Sequence, residues 1–350
     1  MVKRLLEFRK KSEFYIILVI VLLSLFIEFK SGLFFSNINL LDLLRAMIIP
    51  GMFALGTYLV IISGGFDVSF PMVGALSMYL TTLILEKSNF TGSIVLGFVL
   101  SVLIGTTLGI INGFLVMLLR IPSMIITLGT SSVYAGLLHG FLEAREICTL
   151  PSPMHDAAQK VLIRTYDKNL GLFGELPLVF LVFPCLAIVL AFIMKKTTFG
   201  RYVFAIGGDI ASAERVGIPV KPMIVMIYTL AGCIAGLTGI TRAILMDTCH
   251  PNTFNGMDLT VIAAVILGGA RVSGGLGSIT GTILGTALFA IINNSLQLMG
   301  VPNYWQKLFL GALIIVGTGI STYQVLLKQT FSTKKRKITS AFNKKTIEKT

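Results

Sequence analysis

Apolar residues in this chain gather into long stretches separated by short polar joints, and the stretches predict helices of membrane-spanning character. Ten are placed by hydropathy, at 14–29, 46–63, 70–86, 93–119, 122–142, 177–194, 222–243, 258–270, 275–298 and 306–326. A full crossing takes about 20 residues. Shorter stretches such as 258–270 are therefore candidates for re-entrant or broken helices, which a bilayer tolerates where the backbone is buried in protein. The fold class expected is all-α: a polytopic membrane bundle of about ten helices.

Two polar segments interrupt this pattern at greater length. Residues 143–176 are polar and turn-rich, and residues 195–221 (KKTTFGRYVFAIGGDIASAERVGIPVK) combine glycines with a short helical pattern. The expected organisation is a basic N-terminus at 1–13, one membrane domain over 14–326, and a basic tail at 327–350 that is poor in apolar residues and expected to be disordered at the lipid surface. The start imitates a signal peptide, but no A-x-A-like site follows the first apolar run and more spans come after it, so it reads as an uncleaved first span.

Lysine and arginine fix the orientation. With ten spans both termini share a side. That side holds five basic residues before the first span, Arg120, five in 195–221, Arg271 and eight from Lys328 onward, against nine on the other side. The positive-inside bias makes both termini, and 195–221, cytoplasmic, with 143–176 extracytoplasmic. The location expected is the cytoplasmic (inner) membrane.

Composition agrees. The chain is 55% hydrophobic and 13% charged, with mean hydropathy +0.87, against about 25% charged residues in soluble domains. The net charge of +13 follows membrane topology, with no folded basic surface interleaved with aromatics, so nucleic acid is not an expected partner. Cys148, Cys185, Cys233 and Cys249 lack CxxC or Cys/His spacing and are read as lone thiols, with a Cys148–Cys249 disulfide as the lesser alternative.

Glycine is patterned. Gly105, Gly109 and Gly113, then Gly277, Gly281 and Gly285, recur every four residues, and Gly232 with Gly236 forms a further pair. On helices such spacing makes flat stripes for close backbone approach. Two echoes hint at internal repetition: Gly64-Gly65-Phe66-Asp67-Val68-Ser69 with Gly268-Gly269-Ala270-Arg271-Val272-Ser273, and Ile110-Ile111-Asn112-Gly113 with Ile291-Ile292-Asn293-Asn294.

Catalytic chemistry is not legible. No Gly-x-x-x-x-Gly-Lys-Ser/Thr run is present, so ATP is not expected to bind here through a P-loop. No nucleophile-base pair or metal-ligand cluster stands out. Asp67 and Asp258 lie at apparent helix breaks, and His139 is the best single candidate for carrying an ion. In 195–221, Asp209 is a fitting N-cap for a short helix Ile210 to Val216, ended by Gly217 and Pro219. A short, ordered cytoplasmic helix suits docking onto a partner, or serves as an amphipathic connector.

Three blocks stand in order along the chain: Gly64-Gly65-Phe66-Asp67-Val68-Ser69; Thr198-Phe199-Gly200-Arg201 through Ala205-Ile206-Gly207-Gly208-Asp209 to Gly217-Ile218; and Asp258-Leu259, Ile262-Ala263-Ala264-Val265, Leu267-Gly268-Gly269 and Gly274-Gly275-Leu276-Gly277-Ser278. Through them the chain resembles, over about residues 40–325, the permease subunits of the ribose, xylose, arabinose and galactose type of ABC importer. Departures are Phe70-Pro71 in place of Val-Gly, Asp209 in place of Asn and Asp258 in place of Glu. The resemblance implies that the chain is no enzyme itself, that ATP and Mg sit on a separate ATPase dimer, and that a second permease chain, identical or related, pairs with it. A soluble binding protein would deliver a small sugar from outside.

The same resemblance makes Thr198, Phe199, Gly200, Arg201, Ala205, Gly207, Gly208, Asp209, Ala213, Gly217 and Ile218 the ATPase-coupling segment. Asp67, Asn112, Thr127, Thr130, Ser131, Tyr134 and Asn293 are candidates to line a path for a neutral polyol, with hydrogen bonding between helices as the competing role. Arg145, Lys160, Arg164 and Lys168 are candidates to dock an acidic face of the binding protein, or simply sit solvated. Other readings are the same machine carrying a nucleoside, a furanose signalling molecule or a branched-chain amino acid, an ion-driven carrier, or a membrane scaffold or enzyme.

Overall fold

The computed structural model describes residues 12–167, 171–300, 302, 305, 308, 311 and 312. The basic termini and most of the stretch at 306–326 lie outside the described residues, as does Lys168. The helices are α1 (Ser12–Ser31), α2 (Asn37–Ile62), α3 (Phe70–Lys87), α4 (Ile94–Leu119), α5 (Ser123–Gly136), α6 (Ser152–Ala158), α7 (Val182–Lys196), α8 (Thr198–Gly208), α9 (Ile210–Arg215), α10 (Val220–Met246), α11 (Met257–Leu267) and α12 (Ile279–Leu298). A π-helical turn, Leu137–Phe141, continues α5. Among the described residues, seven helical segments are long and apolar enough to cross a membrane. Each of the first nine predicted stretches coincides with one of the helices.

The sequence gives physical reasons for the boundaries. Ser36 caps α2, its hydroxyl accepting from the Asn39 N–H, so this helix starts nine residues before the apolar run. The glycine-rich stretch before Ile279 delays α12, and Pro71 sits in the first turn of α3, where its missing N–H costs nothing. At 11 residues, α11 is only ~16 Å long at 1.5 Å per residue, the short helix that the stretch 258–270 predicts.

Helix α2 is the axis of the bundle: Met52 to Ile62 is buried without a break. By contrast α1 and α7 turn Leu18, Leu22, Leu25, Ile188, Val189 and Phe192 outward, as helices facing hydrocarbon must.

The glycine stripes act as their spacing predicts. Antiparallel α4 and α10 meet with Gly105 against Gly236, Gly109 against Gly232 and Gly113 against Val225; a methyl carbon on Gly109 would lie 3.0 Å from the Gly232 Cα. Ser101 Oγ donates to the Gly236 carbonyl at 2.7 Å across the same seam. In the α11–α12 hairpin, methyl groups on Gly281 or Gly285 would overlap the carbonyls of Gly268 and Ala264. Backbones this close maximise dispersion where lipid offers no hydrophobic drive.

Helix ends fall into two groups. At one end the Phe66 N–H donates to Ser123 Oγ, the Gly275 N–H to the Ile62 carbonyl, and the hydroxyls of Ser278 and Thr280 to the Glu13 carboxylate. At the other, Arg45 Nη2 donates to the Leu245 carbonyl, the Arg145 N–H to the Tyr79 hydroxyl, and Ile147 pairs with Cys249. The four cysteines are free thiols.

Two local expectations need correction. Segment 143–176 is not merely turn-rich: it holds α6 and an antiparallel hairpin of β1 (Val161–Asp167) and β2 (Leu172–Pro177), with Tyr166 opposite Phe173 and Arg164 opposite Glu175. The hairpin rests on the start of α2, where Gly174 meets Ile38, and His155 of α6 bonds Asp247 at 2.9 Å. The second correction is in 195–221, where the sequence predicts the one short helix from Ile210 and the structure adds α8 before it. Its three glycines each disfavour helix by about 1 kcal/mol, but Phe199, Val203 and Ile206 form one buried face that outweighs this.

Candidate functional site

Segment 64–69 joins α2 to α3 without helical structure, and the surrounding helices satisfy its backbone. The Phe66 N–H donates to Ser123 Oγ at 2.8 Å and the Val68 N–H to Thr127 Oγ1 at 3.1 Å, while the Tyr228 hydroxyl donates to the Phe66 carbonyl at 3.1 Å. Non-helical backbone in a bundle of this kind is stable only when each polar group finds such a partner.

A chain of buried polar side chains grows from this segment. Asp67 Oδ1 accepts from the Ser69 N–H at 2.8 Å and from the Ser69 hydroxyl at 2.6 Å. Asn112 Nδ2 on α4 donates to Ser69 Oγ at 2.7 Å, and the Tyr134 hydroxyl on α5 donates to Asn112 Oδ1 at 2.9 Å. Asp67, Ser69, Asn112, Thr127 and Tyr134 are all at most 4% exposed. Asp67, Ser69, Asn112 and Tyr134 bond in series from segment 64–69 to α4 and α5, and Thr127 holds the Val68 N–H, the role that competes with substrate contact. Thr130 is buried on the same helix, bonded back to the Thr127 carbonyl, whereas Ser131 and Asn293 are half-buried. Among the described residues, the hydrogen bonds of this cluster do not include Asn293, on α12.

The helix ends on either side of the break explain one sequence echo. Gly64 and Gly65 donate back to Ile61 and Val60, and Gly269 and Ala270 donate back to Ile266 and Val265. Both helices end on a glycine with positive φ, Gly64 at 84° and Gly269 at 91°. The two caps are alike but slip by one residue relative to the sequence match.

Segment 195–221 folds as two short helices, and the extended backbone of Asp209 between them, at φ −164° and ψ 111°, breaks the helical path into the two arms of an L. Thr197, in extended conformation, turns the chain and caps α8 through Oγ1, and Gly200 in the first turn lies directly against the Met194 backbone. Asp209 ends α8 and caps α9, accepting from the Ala211 N–H at 3.2 Å, so the cap read from sequence is present. The Ser212 hydroxyl, with the N–H groups of Ala211 and Ser212, holds the Asp209 carboxyl below the usual carboxylate range, leaving it ionised and capping at neutral pH. Gly217, at φ 84°, ends the helix. Phe199, Gly200, Gly207 and Ala213 are buried roots, Ala205 and Ile218 are half-buried, and Thr198, Arg201, Gly208, Asp209 and Gly217 are exposed. Two apolar side chains also face outward, Ile210 at 50% and Val216 at 77% exposed.

At the opposite end Arg145, Lys160 and Arg164 are exposed. Arg164 is committed to Glu175 across the hairpin at 2.6 Å. Sequence reading named neither Ser123 nor Tyr228 as a site residue, and no local pattern marks a residue that acts across 57 or 162 positions. His139 is exposed on the π turn and Asp258 half-buried in the first turn of α11. No group of three or more potential metal ligands occurs among the described residues.

Comparison with known proteins places this architecture. The family model described as "Branched-chain amino acid transport system / permease component" matches residues 39–317. A protein of Escherichia coli K12 named as a probable ABC transporter permease, YphD, is 34% identical over 94% of each chain. The ribose import permease RbsC of Bacillus subtilis is 32% identical over 81% of this chain and 84% of its own. The galactose/methyl galactoside import permease MglC of Escherichia coli is 30% identical over 93% and 98%. No solved structure matches the chain. With a helical membrane bundle, an ordered L at one end and a match over most of its length, the chain belongs to this family of multi-pass ABC transporter permeases.

Proposed function

We propose that this permease is the membrane subunit of an importer for a small sugar, in the cytoplasmic membrane with both termini inside. It would pair with a second permease chain, identical or related, and be energised by two ATP-binding subunits that hold ATP and Mg. Sugar is favoured because the relatives named above with a stated substrate import ribose and galactose.

The observation that carries the reading is the L of α8 and α9. Its roots, Phe199, Val203, Ile206 and Ala213, are buried in the bundle, while Ile210 and Val216 are presented outward beside the charged Arg201, Glu214 and Arg215. Exposed apolar side chains rimmed by charge mark a protein contact. The positive-inside bias supports a cytoplasmic position for this end, where an ATP-binding subunit would meet it. At the other end Arg145, Lys160 and Arg164 would meet the binding protein, with Lys168 in the same loop.

The test is co-purification from native membranes in mild detergent. Ile210→Glu with Val216→Glu leaves every buried root in place, so the chain should fold while its ATP-binding subunit is lost or reduced at least tenfold. Full retention of that subunit by the double variant would sink the assignment of α8–α9 as the contact.

A further inference from the structure

Three segments meet backbone to backbone at the end of the bundle that carries the L. Gly207, near the end of α8, stands so close to the Ile62 carbonyl that a methyl group there would overlap it, and it would come within 2.6 Å of the Gly275 nitrogen. A methyl on Gly274 would lie 2.7 Å from the Gly207 carbonyl oxygen and 2.8 Å from the Gly64 Cα; one on Gly275 would lie 2.9 Å from the Gly208 Cα. Gly274 and Gly275 hold φ of 83° and 75°, conformations glycine adopts at no steric cost. The Gly275 N–H donates to the Ile62 carbonyl at 2.9 Å. No side chain separates the three strands of backbone.

Side chains absorb small displacements by changing rotamer, whereas packed backbone passes them on. What lies downstream gives the junction a consequence. Residues 66–69 leave it directly, clamped by Ser123, Thr127 and Tyr228, and their Asp67 and Ser69 connect through Asn112 to Tyr134. A route of direct backbone contact at the junction, followed by hydrogen bonds beyond residue 66, therefore runs from the L to α4 and α5.

Resting on the importer reading, we propose that Gly64, Gly207, Gly274 and Gly275 form a rigid joint. It passes movement of α8–α9 to residues 66–69 and so to α4 and α5. In this scheme Asn112, Thr127 and Tyr134 are positioning residues for the change of access, and they make no contact with the transported sugar.

The joint separates two quantities that a simple stability loss would lower together. The complete importer, with its ATP-binding subunits, is reconstituted in liposomes with binding protein outside and ATP inside. Radiolabelled ribose, xylose, arabinose, galactose and fructose serve as probes. Gly207→Ala strains the joint, while Tyr134→Phe and Thr127→Val each remove hydrogen bonds at nearly constant volume. The expected result is unchanged assembly, unchanged half-saturating sugar concentration and unchanged preference among the five sugars, with ATP hydrolysed per sugar moved raised at least fivefold. If Gly207→Ala does not assemble, the other two variants decide.

A changed sugar preference or half-saturation in Tyr134→Phe or Thr127→Val would overturn the proposal in favour of direct contact. So would a wild-type ratio of ATP to sugar in both. A wild-type chain that moves sugar with no ATP-binding subunit would overturn the importer reading itself, and is told apart because it needs no variant.

Discussion

Replacing Gly232 by leucine is expected to unseat α10 from α4 and to lower the thermal unfolding midpoint of the detergent-purified chain by roughly 5–10 °C. Even a single carbon at this position would overlap the Gly105 carbonyl and lie 2.7 Å from the Gly109 Cα. The obstacle is backbone on the facing helix, so no rotamer change relieves it. Helix α10 also packs on α2, which carries the longest unbroken buried run among the described residues, and a shift of α10 would disturb that axis too. The cost expected is about 3 kcal/mol, the upper end for overpacking. Gly129→Ala is the control: α5 leaves open space beyond that glycine, so stability should hold or rise slightly through better helix propensity. Equal midpoints for Gly232→Leu and wild type would contradict the packing.

The second large effect is expected at Asp67. Alanine there removes the acceptor of both the Ser69 N–H and the Ser69 hydroxyl. It leaves polar hydrogens in a site from which water is excluded. Each orphaned donor costs about 1–3 kcal/mol, so a loss of roughly 2–4 kcal/mol is expected, together with loss of transport as segment 64–69 detaches from Asn112. Asn retains an oxygen at the same position, and Asp67→Asn should recover most of the stability. Chemical unfolding in mixed micelles measures both. Asp67→Ala as stable as Asp67→Asn would show that the carboxyl does not hold this segment.

Why these features were legible in the sequence to different degrees follows from the range of the interactions. Asp209 needs only its own neighbours to act as a cap, and Gly217 needs only its own φ, so the short helix between them was readable. The stripe Gly105, Gly109 and Gly113 announces close approach because lipid gives a helix little other reason to carry glycine every four residues. Its partner stripe on α10 was visible in the same way, though the pairing itself was not. Helix α8 was missed because local propensity opposes it and burial of Phe199, Val203 and Ile206 decides it. The β1–β2 hairpin was missed because its strands are short and polar residues interrupt them.

The polar chain was half legible. Asp67, Asn112, Thr127 and Tyr134 were each singled out, but hydroxyl and amide groups on membrane helices serve cargo and neighbouring helices alike. Only their placement shows that Ser69 links Asp67 to Asn112 and so to Tyr134, and that Thr127 holds the Val68 N–H. Ser123 and Tyr228 reach Phe66 from distant parts of the chain, and three-way contact among Gly64, Gly207 and Gly274 exists only once α2, α8 and the loop before α12 are assembled. The echo between 64–69 and 268–273 did point to like structures. Both ends are glycine caps, but the one-residue slip puts positive φ on the first glycine of one pair and the second of the other.

Sugar accumulation in proteoliposomes containing this chain, its ATP-binding subunit and the binding protein, with ATP supplied or withheld and an uncoupler added, tests the importer function most directly. At least one of ribose, xylose, arabinose, galactose or fructose is expected to accumulate in a way that requires ATP and the ATP-binding subunit and persists when ion gradients are collapsed. Accumulation by the chain alone, abolished by the uncoupler and indifferent to ATP, would contradict it and make the protein an ion-driven carrier.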